Sequence, residues 1–101
     1  MSAQTYGPCR VLKYEIDVRL GLCVDLPASA MPLAVAMADG PTHVNVWVQV
    51  PVDGDGKPLP GPQRRFEVYG TGHVIPADRR FVGTTMGWGL VWHVYEKRSA
   101  N

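Results

Sequence analysis

The chain of 101 residues has the size of one ordinary domain and leaves no room for two hydrophobic cores. Hydrophobic residues make up 46% of it and charged residues 19%, a balance that argues against disorder. Ten Lys and Arg against nine Asp and Glu leave a formal charge of +1, which excludes a strong electrostatic case for nucleic acid or an anionic membrane as the partner. Eleven Gly and nine Pro exclude a mostly helical protein.

The first eight residues show neither the basic nor the apolar region of a signal peptide. The longest apolar run, 31–38, contains a proline and is far shorter than the roughly 20 residues that cross a bilayer. We therefore expect a soluble, cytosolic chain without a membrane contact. Cys9 and Cys23 are too few for a secreted disulfide scaffold and lack a C-x-x-C spacing, so we predict two reduced thiols and no metal or cofactor.

Apolar and polar residues alternate with a period of two through most of the chain, which predicts strands. The first apolar series is Leu12, Tyr14, Ile16, Val18 and Leu20, and it resumes after Gly21 at Leu22, Val24 and Leu26. The simplest interpretation is two antiparallel strands joined by a tight turn near Gly21, which would set Cys23 opposite Asp17. One long bent strand is the alternative.

A third strand is predicted over 31–38, where Met31, Leu33, Val35 and Met37 alternate with a proline and alanines. An alanine-rich helix is the alternative, but the alternation and the Asp-Gly-Pro turn at 39–41 favour a strand. The small residues of its second face indicate that something packs closely over them.

The segment from Thr42 is the clearest strand, with one face made of Val44, Val46, Val48, Val50 and Val52. The opposite face carries His43, Asn45, Trp47 and Gln49, and we predict that it packs against another subunit of a homo-oligomer. A platform for stacking nucleotide bases is the alternative. It requires basic residues beside the aromatic ring, whereas the neighbours of Trp47 on this face are neutral.

Four prolines and three glycines within 51–63 predict an exposed loop over 52–63. Its Asp53-Gly-Asp-Gly-Lys57 run lacks ligands that a calcium loop needs, so calcium binding is not predicted. Strands follow over 64–69, with Phe66 and Val68 turned inward, and over 81–85. After a turn at Met86-Gly87 comes a strand over 88–96, whose predicted core face is Trp88, Leu90, Trp92 and Val94.

Six to seven short strands separated by turns predict an all-β fold, a single-domain antiparallel β-sandwich or small barrel over 1–101. Residues 1–10 are predicted to be an N-terminal extension, and residues 97–101 a frayed tail.

The run Gly70-Thr71-Gly72-His73 is the first candidate for a ligand site. It is no Rossmann or Walker loop, because Val-Ile-Pro follows instead of a helix. The favoured interpretation is a strand end where glycine permits a positive φ or a bulge, and a backbone nest for an anion is the alternative. The pairs Arg64-Arg65 and Arg79-Arg80 flank this run and are suited to a phosphate or carboxylate, although nearby Glu and Asp favour a self-compensating surface. The candidate ligand residues are Arg65, Tyr69, Gly70, Thr71, Gly72, His73, Arg79, Arg80 and His93.

His43, His73 and His93 come from different segments without a metal-binding spacing, and His93 is expected to form a hydrogen bond across the sheet. No threonine, serine or cysteine stands in a recognisable nucleophile motif, so no catalytic residue is assigned.

Several blocks of the chain resemble a family of small, uncharacterised proteins of tailed bacteriophages and prophages. The blocks are Lys13-Tyr-Glu-Ile16, Arg65-Phe-Glu-Val-Tyr-Gly-Thr-Gly-His-Val-Ile-Pro76, Phe81-Val-Gly-Thr84 and Leu90-Val-Trp-His-Val-Tyr-Glu96. The resemblance runs in order from residue 12 to residue 96 and departs at 1–10 and 51–63. It implies a phage or prophage origin and a place in the host cytoplasm or the virion, but no activity.

Three hypotheses about the function follow from these observations, in order of preference. The first is a phage accessory protein that acts as a non-enzymatic binding or self-assembling β module, through the Trp47 face and the Gly70–His73 region. The second is a small-ligand protein that binds a phosphorylated or nucleotide-like molecule with the arginine pairs and the glycine run. The third is a small hydrolase or metal-dependent enzyme.

Overall fold

The computed structural model describes residues 7–98, which form seven strands. In chain order they are β1 (Cys9–Asp17), β2 (Leu22–Asp25), β3 (Met31–Met37), β4 (His43–Pro51), β5 (Gln63–Gly70), β6 (Arg80–Gly87) and β7 (Leu90–Arg98). A three-stranded sheet has the order β1-β4-β3, and a four-stranded sheet has the order β2-β5-β7-β6, with every pairing antiparallel. The predicted all-β fold is confirmed. Nothing among residues 7–98 forms a helix of the length and hydropathy that a membrane span needs.

The hydrophobic core lies between the two sheets. Val44, Val46, Val48 and Val50 of β4 are fully buried, as the alternation predicts. The other sheet contributes Phe66 and Val94, and β1 contributes Ile16, each with no exposed surface. Burial of one such side chain stabilises the fold by about 1.5–3 kcal/mol, so the period-two pattern of β4 alone provides a large part of the driving force.

The predicted hairpin at Gly21 is wrong. β1 pairs with β4, and β2 pairs with β5, so the chain changes sheets between Asp17 and Gly21. The carboxylate of Asp17 shapes this connection by accepting the backbone N–H groups of Arg19 and Leu20 at 2.8 and 2.9 Å. Cys23 consequently lies opposite Arg65, and the described cysteines, Cys9 and Cys23, are both free and exposed.

β3 is a strand, as predicted, but its alternation is broken. The register shifts between Pro32 and Ala34, so that Met31 pairs with Gln49 on the outer face and Val35 pairs with Val46 on the inner face. A bulge of this kind inserts one residue and reverses the facing of those beyond it. Met31 and Leu33 are therefore exposed, at 44% and 47%.

Two glycines of β6 allow the edges of the sheets to approach each other. A Cβ atom on Gly83 would lie 2.8 Å from Val35 Cγ2, and one on Gly87 would lie 2.7 Å from Met37 Cγ. Both distances are below normal carbon–carbon contact, so only glycine lets β6 pack this closely on β3.

The turn before β7 is displaced from its predicted place. Trp88 and Gly89 connect β6 and β7 with φ values of 56° and 71°, the pair of positive φ angles that a two-residue type I′ hairpin requires. Trp88 is 61% exposed, so its predicted place in the core is wrong, whereas Trp92 is partly buried and packs against the core.

The ends and the long loop follow the predictions in part. Cys9 and Arg10 belong to β1, and residues 1–6 of the predicted extension lie outside the described residues. Lys97 and Arg98 belong to β7, and residues 99–101 of the predicted tail lie outside the described residues as well.

Within the 52–63 loop, Asp53 Oδ1 accepts the N–H groups of Asp55 and Lys57 at 2.8 and 3.0 Å.

Candidate functional site: two sheet faces and a buried ion pair

The four arginines of the predicted pairs lie on opposite sides of the four-stranded sheet. Arg65 and Arg79 both contact Glu67 on the outer side of the four-stranded sheet. Arg64 is buried on the inner side and pairs with Glu96, and Arg80 lies opposite Glu96 in the register of β6 and β7. Arg64 and Arg65 are neighbours on β5 and therefore point to opposite faces. Arg79 contacts Glu67 on the outer side from the loop before β6, whereas Arg80 lies on the inner side, so the two pairs cannot act as two double anchors for one anion.

Glu67 is the centre of a hydrogen-bonded cluster. Its Oε1 accepts from Tyr69 Oη at 2.5 Å and from Arg79 Nε at 2.6 Å, and its Oε2 accepts from Arg65 Nε at 3.0 Å. Arg65 also donates to the backbone oxygen of Leu20 at 2.8 Å. Three side chains are therefore held in place around one carboxylate, which reduces the entropy that they would lose on meeting a partner.

The titration of Glu67 and Tyr69 reflects this cluster. Burial raises the pKa of Glu67, but the hydrogen bonds from Arg79, Tyr69 and Arg65 outweigh it and hold the pKa below its usual range. Burial and the bond to Glu67 raise the pKa of Tyr69 above its usual value. At neutral pH the cluster therefore contains one carboxylate, two guanidinium groups and a neutral phenol.

His93 of β7 connects β6 to the turn after β5 on this outer face. Its Nε2 lies 2.8 Å from Thr71 Oγ1, and its Nδ1 lies 2.9 Å from Thr84 Oγ1, which confirms the predicted hydrogen bond across the sheet. The spacing resembles a nucleophile, a base and an orienting group. Thr84 is neutral, however, and cannot stabilise an imidazolium as a carboxylate would, so the arrangement favours a structural role.

The Gly70–His73 run forms a turn at the end of β5. Gly72 has a φ of 91°, and the N–H of His73 donates to the oxygen of Gly70 at 3.1 Å, as expected of a strand end that needs glycine. The ring of His73 folds back, and its Nδ1 accepts the N–H of Gly70 at 3.1 Å. This backbone N–H is thus engaged within the turn.

Four of the nine predicted ligand residues, Arg65, Tyr69, Arg79 and His93, meet on one surface, the outer face of the four-stranded sheet, which we call the Glu67 face. The register places there Arg65, Glu67, Tyr69, Phe81, Thr84, Met86, Val91, His93, Tyr95 and Lys97, and Arg79 reaches it from the preceding loop. Tyr95 contacts Tyr69 and Phe81 edge-to-face, with ring centroids 6.0 and 5.4 Å apart. Aromatic residues, methionine and arginine are the types enriched at protein interfaces.

Phe81 and Met86 are 56% and 74% exposed on this face, so its apolar groups are not covered by the described part of the chain. The adjoining cleft between Arg19, Arg65 and Tyr69 measures only about 150 Å³. That is smaller than the pockets that enclose small molecules, and the face is better suited to a broad partner surface.

The outer face of the three-stranded sheet, which we call the Trp47 face, holds the predicted interface residues together. His43, Asn45, Trp47 and Gln49 lie on β4 beside Asp17, Glu15, Lys13 and Val11 of β1, and β3 adds Met31, Ala34 and Ala36. The predicted residues are all partly buried. His43 Nε2 lies 3.8 Å from Asp17 Oδ2. Whether this face is an interface stays a prediction.

The three histidines have different neighbours, and no three metal-ligating side chains group together among residues 7–98. His43 contacts Thr42 and Asp17, while His73 and His93 belong to the turn and the threonine pair described above. The described part of the chain therefore offers no donor set to which a metal role can be assigned.

Sequence reasoning missed the importance of Arg64 and Glu96. Both residues are 1% exposed, and Arg64 Nε donates to Glu96 Oε2. Arg64 Nη1 also donates to the backbone oxygens of Pro27 and Ala30, each at 3.0 Å. The available signal was a charged residue on the core parity of two strands, since Arg64 shares its face with Phe66, and Glu96 shares its face with Val94.

A family profile described as a domain of unknown function (DUF7352) matches residues 8–101. No curated protein matches the chain, and no solved structure matches it either.

Proposed function

The chain belongs to the family described as a domain of unknown function (DUF7352). We propose that it is a non-enzymatic phage or prophage accessory protein that self-assembles in the host cytoplasm or the virion. In this proposal the Glu67 face of one copy packs on the Trp47 face of the next. The observation that carries it is the opposite charge of the two faces, each of which also exposes apolar side chains.

The two faces carry opposite formal charges. The Glu67 face has Arg65, Arg79 and Lys97 against Glu67, a formal excess of two positive charges. The Trp47 face has Lys13 against Glu15 and Asp17, a formal excess of one negative charge. Opposite potentials favour docking of the two different faces and disfavour docking of two Glu67 faces.

The apolar groups add the contact area. The Glu67 face exposes Phe81 and Met86, and the Trp47 face exposes Met31 and Val11, at 44% and 54%. Strands spaced about 4.8 Å apart, with about 3.3 Å per residue along each, give the four-stranded Glu67 face an extent of roughly 20 by 25 Å and the three-stranded Trp47 face roughly 15 by 30 Å. This area is near the lower limit of a specific interface, so we expect association at micromolar or higher concentrations rather than an obligate oligomer.

Two face variants test the proposal. Phe81→Ser with Lys97→Glu impairs the Glu67 face, and Trp47→Ser with Glu15→Lys impairs the Trp47 face. Sedimentation velocity from about 10 µM to about 1 mM covers the range in which an interface of this size associates. The wild type should form growing oligomers, because a contact between two different faces does not close on itself unless it forms a ring.

Each face variant alone should remain monomeric, and an equimolar mixture of the two should form a heterodimer, because one intact copy of each face remains. Lys57→Glu, in the 52–63 loop outside both faces, is the control and should assemble like the wild type. A monomeric wild type at the highest concentration would overturn the proposal. A mixture that stays monomeric would exclude the pairing of different faces.

A further inference from the structure

A second cleft lies on the inner side of the four-stranded sheet, away from both outer faces. It has a volume of about 360 Å³ and is lined by Asp78, Arg80, Glu96 and Arg98. This volume falls in the range of sites that hold small ligands. The cleft shares no lining residue with the Glu67 face or the Trp47 face, so its occupation is independent of the proposed assembly.

Positive charge is concentrated around one buried carboxylate in this cleft. Arg64 is paired with Glu96, and Arg98 Nε lies 3.8 Å from Glu96 Oε2. Arg80 lies opposite Glu96 in the register and has no ion-pair partner within 4.0 Å among residues 7–98. Three guanidinium groups thus surround Glu96, and Asp78 is the other acidic residue of the lining.

The titration of Arg98 agrees with this crowding. Burial lowers its pKa, and repulsion from Arg64 and Arg80 adds to the effect, while Glu96 opposes it. An anion between the exposed guanidinium groups would relieve this repulsion.

The buried pair itself is incompletely satisfied. Arg64 Nη2 and Glu96 Oε1 are buried and have no hydrogen-bond partner among the described residues. An unpaired buried polar atom is costly, and in natural proteins such atoms are often found at functional sites. Of the two residues, Glu96 lines the cleft together with Arg80 and Arg98.

We propose that this cleft binds a phosphate group, with Arg80 and Arg98 donating to its outer oxygens. Guanidinium groups present paired donors that match the oxygens of phosphate. A phosphate can present a separate pair of oxygens to each of the two guanidinium groups, whereas a single carboxylate must share its two oxygens between them. The site differs from the one expected from the sequence, since it uses Arg80 and Arg98 rather than the Gly70–His73 run.

Titration of the whole chain with inorganic phosphate, followed by amide NMR shifts at ionic strength matched with chloride, tests this site. Shifts should concentrate at Asp78, Arg80, Glu96 and Arg98. Arg80→Gln and Arg98→Gln should each weaken phosphate binding by about tenfold, because each removes a charge-assisted hydrogen bond. Asp78→Asn should strengthen it by a few fold, because it removes a repelling charge without removing a donor.

Arg19→Gln removes the same charge from an exposed arginine outside the cleft and is the matched control, expected to leave phosphate binding unchanged. Circular dichroism establishes that each variant is folded. Equal shifts in phosphate and chloride would overturn the proposal, and so would an equal loss in the Arg19 variant. Both outcomes are independent of the sedimentation results. A failure of the phosphate site therefore does not contradict the proposed assembly, and the reverse also holds.

Discussion

Arg64 of β5 and Glu96 of β7 form an ion pair between adjacent strands inside the sandwich, each residue 1% exposed. In the register Arg64 lies opposite Arg98, and Phe66 lies opposite Glu96, so the two partners are diagonal neighbours. Arg64 additionally holds the Pro27–Ala30 connection through two backbone oxygens. The pair therefore links the two central strands of one sheet to the segment that leads into the other sheet.

Removing one partner of this pair should be costly. Glu96→Ala leaves a buried guanidinium without its carboxylate and should lower the free energy of unfolding by about 3–5 kcal/mol. Replacing both partners with apolar residues, Arg64→Met with Glu96→Leu, should recover part of this loss: no buried charge remains, but the backbone oxygens of Pro27 and Ala30 lose their donor. Urea unfolding measures both. Glu15→Ala, at an exposed carboxylate of β1, is the matched control and should change stability by less than about 0.5 kcal/mol.

The contact between Gly83 and Val35 predicts a specific effect of added volume. Gly83→Ala should destabilise the protein by about 1–3 kcal/mol, the usual cost of overpacking, because its Cβ would lie 2.8 Å from Val35 Cγ2. The double variant Gly83→Ala with Val35→Ala should be more stable than the sum of the single changes predicts. Gly40→Ala, where nothing lies within 4 Å, is the control. Strictly additive losses in thermal unfolding would contradict the close contact.

The Trp88–Gly89 turn predicts a stabilising substitution. Trp88 has a φ of 56°, which is unfavourable for a bulky residue, and asparagine before glycine is the preferred pair for this turn. Trp88→Asn should raise stability by about 1 kcal/mol, and the melting temperature by several degrees. Trp88→Ala retains the unfavourable φ and should show no such gain. Equal melting temperatures of the two variants would show that φ is not the cause.

The lowered pKa of Glu67 predicts an effect of pH on stability. The pKa of Glu67 is lower in the folded state than its value of about 4.3 in the unfolded chain. The ionised carboxylate therefore stabilises the protein at pH values above about 4.3, and this contribution is lost as the pH falls through the folded pKa. The stability difference between the wild type and Glu67→Gln should therefore shrink on acidification below about pH 4.5. Urea unfolding at a series of pH values measures it, and a difference that stays constant would show that the Arg79, Tyr69 and Arg65 bonds do not lower this pKa.

Local patterns were enough to predict the class of fold. The four valines of β4 and the alternation of β1 each require one solvent-exposed and one buried face. These patterns therefore predicted strands and a β-sandwich or barrel. The exposed position of Trp88 was not predictable from alternation, because the parity of a strand gives no information about where the chain turns. The bulge at Pro32–Ala34 places Met31 on the outer face and Val35 on the inner face, and period-two alternation by itself does not indicate where a strand contains a bulge.

The candidate sites were predictable only in their residue types. The sequence by itself determined that the chain carries two adjacent arginine pairs near the Gly70–His73 run, but it did not predict that the members of each pair lie on opposite sides of the sheet. The tertiary structure decided which member is buried, since only the packing of the Pro27–Ala30 segment over β5 gives Arg64 its backbone acceptors. It also decided that Arg80 and Arg98 meet beside Glu96 and that β1 and β2 belong to different sheets, because pairing between distant strands depends on contacts that no local pattern encodes.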